Sequence, residues 1–178
     1  MKKTLSNVAA FVICVFIGFQ AFAGATLFLK ENSVMTGKDG DVIAEMYFGT
    51  PAEDGVVTGW MQYGDNMMYS DDSGRLTYGK VLDKTAVKPT GRKHGGMRQM
   101  RIRGELPPEL LSSTREDALM SYEKNYYEIC SSCHAATLQS RYSVEQWEGI
   151  LNSMRSHAHL SDNDTANIYR YIKLLLLN

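Results

Sequence analysis

Cys130-Ser131-Ser132-Cys133-His134 is the stretch of this 178-residue chain whose residue types and spacing dictate chemistry. C-x-x-C-H is the attachment signature of c-type haem. Two thiols separated by two residues match the two vinyl groups of the porphyrin, to which they bond as thioethers. The adjoining histidine then lies over the ring and supplies the proximal ligand of iron. A shift of His134 by one residue would break that relation. Two other readings of C-x-x-C compete. A thioredoxin-type redox pair expects a βαβ setting, and no such pattern surrounds position 130. A zinc site needs two further ligands, and the sequence has no second cysteine pair.

The N-terminus bears on the same question. The third cysteine, Cys14, lies in a segment that begins Met1-Lys2-Lys3, continues as an apolar run over residues 8–19 and ends Ala21-Phe22-Ala23. A positive start, an apolar middle and a small-x-small end make a secretory signal peptide, here residues 1–23. Cleavage after Ala23 removes Cys14 and leaves Cys130 and Cys133 as the only thiols. Haem is attached covalently outside the bacterial cytoplasmic membrane, so the motif and the export signal both point to the periplasm. The competing reading is an uncleaved anchor. The apolar run is short for a spanning helix, although residues 8–29 taken as one run are long enough. Cys14 follows Phe11-Val12-Ile13, which is not a lipoprotein pattern.

The elements that must position the motif follow from the remaining chain. Net charge is −1 for the whole sequence, and loss of Lys2 and Lys3 leaves −3, too balanced to argue for nucleic acid. Residues 24–108 read as short strands and turns: strands over 25–30, 42–48, 56–63, 67–70, 75–82 and 98–106, with Asp71-Asp72-Ser73-Gly74 as a turn. On 56–63, Val56, Thr58, Trp60 and Gln62 share a face. This pattern predicts a small antiparallel β-barrel or sandwich domain. Pro107-Pro108 closes it. Residues 109–178 read as helical. One helix over 112–129 leads into the motif. Ser143-Val144-Glu145-Gln146 is a capping box, followed by an apolar stripe of Trp147, Ile150, Leu151 and Met154. Ser161-Asp162-Asn163-Asp164 opens another helix, with Ile168, Tyr171, Ile172 and Leu175 as its stripe. The expected fold is therefore α+β, with the β domain followed by a small all-α cytochrome c-like haem domain. Such a domain is too small to fold on its own apolar burial, and one covalently bound haem c would complete its core.

The distal iron ligand has several candidates. Met154 lies on an apolar stripe and carries a thioether, although such a methionine also serves as ordinary core packing. His157 follows three residues later, nearly in register, and His159 is a further option, as is an open site. The choice matters because methionine ligation raises the reduction potential relative to two histidines. Other constellations are weaker. Arg92, Lys93, His94, Arg98, Arg101 and Arg103 form a basic run, either a docking patch for an acidic redox partner or a solvated hairpin. Asp65, Asp71 and Asp72 read as turn residues. No nucleophile–base pair or glycine-rich phosphate loop is present, so the chain reads as an electron-transfer protein and not an enzyme.

Gly55-Val56-Val57-Thr58-Gly59-Trp60-Met61-Gln62, followed by Tyr69, Gly74-Arg75 and Val81-Leu82, and Cys130 to His134 followed by Gln146-Trp147 and Met154, together resemble the C-terminal, monohaem region of pentahaem c-type cytochromes of the trimethylamine-N-oxide reductase respiratory system. The resemblance spans residues 42–177 in the same order. Its C-x-x-C-H part is generic, and the Gly-Trp-x-Gln strand is the more specific part. It implies a periplasmic monohaem cytochrome that delivers electrons to a molybdopterin N-oxide or S-oxide reductase in anaerobic respiration. Those pentahaem proteins also carry a membrane-anchored tetrahaem module that oxidises quinol. This chain has a single haem motif, so its electrons would come from an upstream quinol-oxidising or other cytochrome, and no membrane span would remain after cleavage. The alternative is a haem-based sensor or ligand-binding protein with an open or labile sixth site.

Overall fold

The computed structural model describes residues 24–177; the expected signal peptide and Cys14 lie outside the described residues. Ten strands occur: β1 (Thr26–Leu29), β2 (Ser33–Thr36), β3 (Val42–Met46), β4 (Pro51–Glu53), β5 (Val56–Gln62), β6 (Met67–Tyr69), β7 (Thr77–Val81), β8 (Val87–His94), β9 (Met97–Arg103) and β10 (Leu111–Ser112). They form one antiparallel sheet in the order β10-β1-β4-β5-β6-β7-β3-β2, with β9 paired to β5 and β8 paired to β9. β5 is the pivot. It pairs with β9 from Val56↔Arg103 to Gln62↔Met97, and it also meets β4 at Val56 and β6 at Trp60. Its inward residues are Val57, Gly59 and Met61, the face opposite Trp60. At Gly59 a Cβ would lie 2.5 Å from Met68 Cγ and 2.6 Å from the Tyr69 carbonyl, so glycine is what lets β6 come this close. The sheet curls into a half-barrel. Thr36 and Glu105 exchange backbone hydrogen bonds of 3.0 and 2.8 Å, tying β2 to the chain leaving β9.

Three helices follow: α1 (Arg115–Cys130), α2 (Val144–Met154) and α3 (Asp162–Leu176). Each starts on a hydroxyl that accepts an otherwise orphaned backbone N–H. The Thr114 Oγ1 accepts from Asp117 N at 3.2 Å. Ser143 and Gln146 close the expected box, with bonds of 2.9 and 3.3 Å. Ser161 and Asp164 close a second one at 3.2 and 3.0 Å.

The expected division into a β domain and an independent all-α cytochrome c-like domain is corrected here. Sheet residues such as Leu29, Met46 and Phe48 and helical residues such as Leu119, Tyr126, Trp147, Ile172 and Leu174 belong to one hydrophobic core. Tyr122 of α1 stacks on Phe48, with ring centroids 3.5 Å apart and planes 9° from parallel. On α3 the buried residue is Leu174, and the expected Leu175 is 41% exposed. Leu174 packs on Gly49, where a Cβ would come within 2.5 Å of its Cδ1. Arg170 reaches from α3 into the sheet. Its Nε and Nη2 donate to the Phe48 carbonyl at 2.9 and 2.7 Å, and its Nη1 donates to the Thr77 carbonyl. The guanidinium lies 5.4 and 5.1 Å from the ring centres of Tyr47 and Phe48. β10 pairs with β1, so residues beyond position 108 are part of the sheet. The physical reason is mutual. Three short helices hold too little apolar surface to form a core alone, and a curled sheet leaves an apolar face that another layer must cover.

Candidate cofactor site

α1 delivers the motif. Cys130 is its last residue, after which Ser131 N bonds to the Tyr127 carbonyl at 3.0 Å and Ser132 N to the Ile129 carbonyl at 3.3 Å. Cys133 and His134 follow on the loop. Both thiols are free, Cys130 half-buried and Cys133 exposed. Their position discriminates between the readings of C-x-x-C. Reactive redox cysteines are activated at helix N-termini, where the dipole favours thiolate. Cys130 lies at a C-terminus, and burial pushes its thiol pKa up. It is a thiol kept neutral, the opposite of a thioredoxin nucleophile. Among the described residues no three His, Cys, Asp or Glu side chains come together to hold a bare metal ion.

His134 Nδ1 is 2.8 Å from the Ala135 carbonyl. A carbonyl can only accept, so Nδ1 is the donor in this contact. A ring nitrogen engaged with a backbone carbonyl is what orients metal-ligating histidines.

The motif residues Cys130, Cys133 and His134 line the same cavity as Ile150, Leu151, Met154 and His157, with Tyr126, Tyr142 and Trp147 among its other walls. Trp147 is buried, and its Nε1 donates to the Gln139 carbonyl at 2.7 Å. Its ring meets Tyr126 and Tyr142 edge-on, with centroids 6.1 and 5.6 Å away. The Tyr126 hydroxyl donates to the Thr137 carbonyl. The loop after the motif is thereby tied to α1 at Thr137 and to α2 at Gln139. The sequence reading assigned Trp147 only to a packing stripe and gave Tyr126 no role. The available signal was that a buried indole or phenol must find a polar partner.

α2 ends at Met154 and the chain continues as a hydrogen-bonded turn. Ala158 N bonds to the Met154 carbonyl at 2.9 Å and Leu160 N to the Arg155 carbonyl at 3.0 Å, with His159 between them at φ 51°. This is a left-handed helix closure. It carries His157 onto the cavity one turn beyond Met154. His159 occupies the closing position and is not among the cavity's lining residues.

The cavity suits a haem on two counts. Its walls are mainly apolar and aromatic. Its thiol, imidazole and thioether groups are the donor types that covalent haem uses.

The basic run lies elsewhere, on the β8–β9 hairpin, and Asp72 pairs with its His94. His94 Nδ1 is 2.6 Å from Asp72 Oδ2, and Arg103 donates to the Asp54 carbonyl at 2.9 Å. Arg98 lies over the exposed Tyr63 ring. Asp65 and Asp71 accept from nearby backbone N–H groups in turns, as their sequence context suggested. No helix among the described residues is long and apolar enough to cross a membrane. Comparison with family models, curated proteins and solved structures yields no match.

Proposed function

We propose that this chain is a periplasmic c-type cytochrome with one covalently attached haem, and that it transfers electrons. The observation that carries this reading is an apolar cavity lined by both motif thiols, by His134, whose Nδ1 faces the Ala135 carbonyl, and by Met154. Cys130 and Cys133 would hold the group as thioethers. His134 would supply the proximal nitrogen and Met154 the distal sulfur. Haem bound there contributes a one-electron change at iron. The chain contributes orientation and exclusion of water. Ala135 fixes the imidazole, and Trp147 and Tyr126 tie down the loop that carries it. Their aromatic surfaces would give one side of the group an apolar wall. Met154 would favour the reduced state.

The resemblance of residues 42–177 to the terminal region of pentahaem cytochromes supports a molybdopterin N-oxide or S-oxide reductase as electron acceptor, fed by another cytochrome. A sensor needs a vacant sixth position. With Met154 and His157 both on the cavity, the geometry favours the carrier.

Intact mass from a host that matures c-type cytochromes should equal the chain from Gly24 plus one haem. Cys130→Ser/Cys133→Ser should lose the haem on denaturation. An unmodified mass for the wild type would overturn the proposal. For the acceptor, the reduced protein should be oxidised faster in stopped flow by reductase with trimethylamine N-oxide or a sulfoxide than by buffer. Equal rates would remove this partner and leave the carrier reading intact.

A further inference from the structure

We infer that His157 is a reserve ligand for the position Met154 occupies, so that the iron of this protein keeps two distal ligands available on one stretch of chain. The inference rests on the reading of the cavity as a haem site. It goes beyond that reading by giving both residues a role in the same molecule.

Three observations carry it. Met154 and His157 both line the cavity. They are three residues apart, Met154 as the last residue of α2 and His157 on the hydrogen-bonded turn that follows it. The closure at His159 is what keeps this last turn wound: Ala158 N bonds to the Met154 carbonyl at 2.9 Å, and Leu160 N to the Arg155 carbonyl at 3.0 Å. Without it the chain would leave the cavity directly after Met154.

The third observation is what the imidazole touches. His157 Nδ1 is 3.3 Å from the Ser153 carbonyl and 3.4 Å from Ser156 Oγ. Its Nδ1 is thus engaged with its own turn, as Nδ1 of His134 is with the Ala135 carbonyl. With haem bound, Nε2 of His157 would replace the Met154 sulfur at iron, a ligand exchange that transfers no electron. The consequence is a lower reduction potential, since two nitrogens favour ferric iron more than nitrogen plus sulfur. His157 is exposed and Met154 half-buried, which makes the thioether the resting ligand and the imidazole the one that enters when the sulfur leaves.

The test uses the mature haem-bearing protein and three variants: Met154→Leu, which keeps the apolar volume, His157→Ala, and the double variant. Ferric and ferrous optical spectra, midpoint potential and imidazole affinity are measured, with far-UV circular dichroism to confirm a common fold. His157→Ala should keep the wild-type spectrum, including the red charge-transfer band of sulfur-ligated ferric haem. Met154→Leu should lose that band but remain low-spin with a lower potential, because His157 enters. The double variant should become high-spin and bind carbon monoxide. Added imidazole should bind Met154→Leu at least about tenfold more weakly than the double variant, the factor expected when an internal ligand fills the position nine-tenths of the time. A high-spin Met154→Leu that binds imidazole as tightly as the double variant overturns the inference. So does a wild-type spectrum that changes with His157→Ala alone. A wild type that carries no haem overturns the underlying function instead.

Discussion

Arg170→Met tests whether sheet and helices share one core. Methionine retains much of the apolar stem but donates no hydrogen bond, so the carbonyls of Phe48 and Thr77 lose the guanidinium. A buried acceptor left unpaired costs about 1–3 kcal/mol, roughly 4 kcal/mol for the two. The contacts over Tyr47 and Phe48 add about 1 kcal/mol. Against this, removing a buried cation is favourable. Burial pushes the Arg170 pKa from 12.5 down to about 10, which at about 1.4 kcal/mol per unit is on the order of 3 kcal/mol. The net loss is about 2 kcal/mol. At roughly 2–4 °C per kcal/mol for a chain of this length, Tm should fall by about 4–8 °C. Arg170→Lys should be worse. It keeps the charge buried, yet an ammonium on a shorter stem lacks the planar fork that serves both carbonyls. Thermal melts of the purified proteins, followed in the far ultraviolet, give the order. If methionine leaves Tm unchanged, or if lysine is tolerated better than methionine, the argument that Arg170 rivets α3 to the sheet is wrong.

Two further outcomes follow from the backbone and the phenols. His159→Gly should raise Tm by about 2 °C, because relief of a left-handed residue, worth about 1–2 kcal/mol, exceeds the added freedom of the unfolded chain; a lower Tm would mean that His159 does not close the helix. Stability should fall above about pH 10. Burial raises Tyr122 and Tyr169 from 10.0 to about 12 and raises Tyr126 and Tyr171 as well. A phenol raised in the folded state contributes stability that is complete below its unfolded pKa and is lost as pH climbs through the folded one. Arg170 has the opposite sign, since the cost of its burial is relieved between about pH 10 and 12.5, but one guanidinium does not offset four phenols. Tyrosinate absorbance and circular dichroism should therefore change together in alkali; smooth ionisation with the fold intact would refute this.

The motif and the caps were legible because they are local. Ser143 with Gln146 and Ser161 with Asp164 write their helix starts within four residues. Alternation revealed β5 and the cores of β1, β3, β6, β7 and β9. The strands that escaped are β2, β4, β8 and β10. β4 is three residues led by Pro51, and β10 is two residues. β8 carries Lys88, Pro89, Gly91, Arg92 and Lys93 on an exposed edge, where no burial imposes a period. Asp72, the carboxylate beside His94 of that hairpin, is likewise distant from it in sequence. The division into two domains failed for the same reason. Phe48 and Arg170 are 122 residues apart, and nothing in either segment announces the other.

α1 joins the two regions the sequence had separated. Tyr122, Tyr126 and Cys130 are spaced four apart, so they lie on one stripe of a helix that rises about 12 Å between the first and the last. At one end Tyr122 stacks on Phe48 of the sheet. In the middle Tyr126 meets Trp147 and Tyr171. At the other end Cys130 opens onto the cavity. Helices transmit position because they do not stretch, so the first motif sulfur is registered against the sheet through two aromatic contacts. α2 is held by α3, by the edge contact of Trp147 with Tyr126 and by the loop that Trp147 binds. The cavity therefore has one wall fixed to a ten-stranded framework and another, bearing Met154 and His157, attached through helices and a loop. The sheet thus has a physical role without lining the cavity: it registers the wall that carries Cys130.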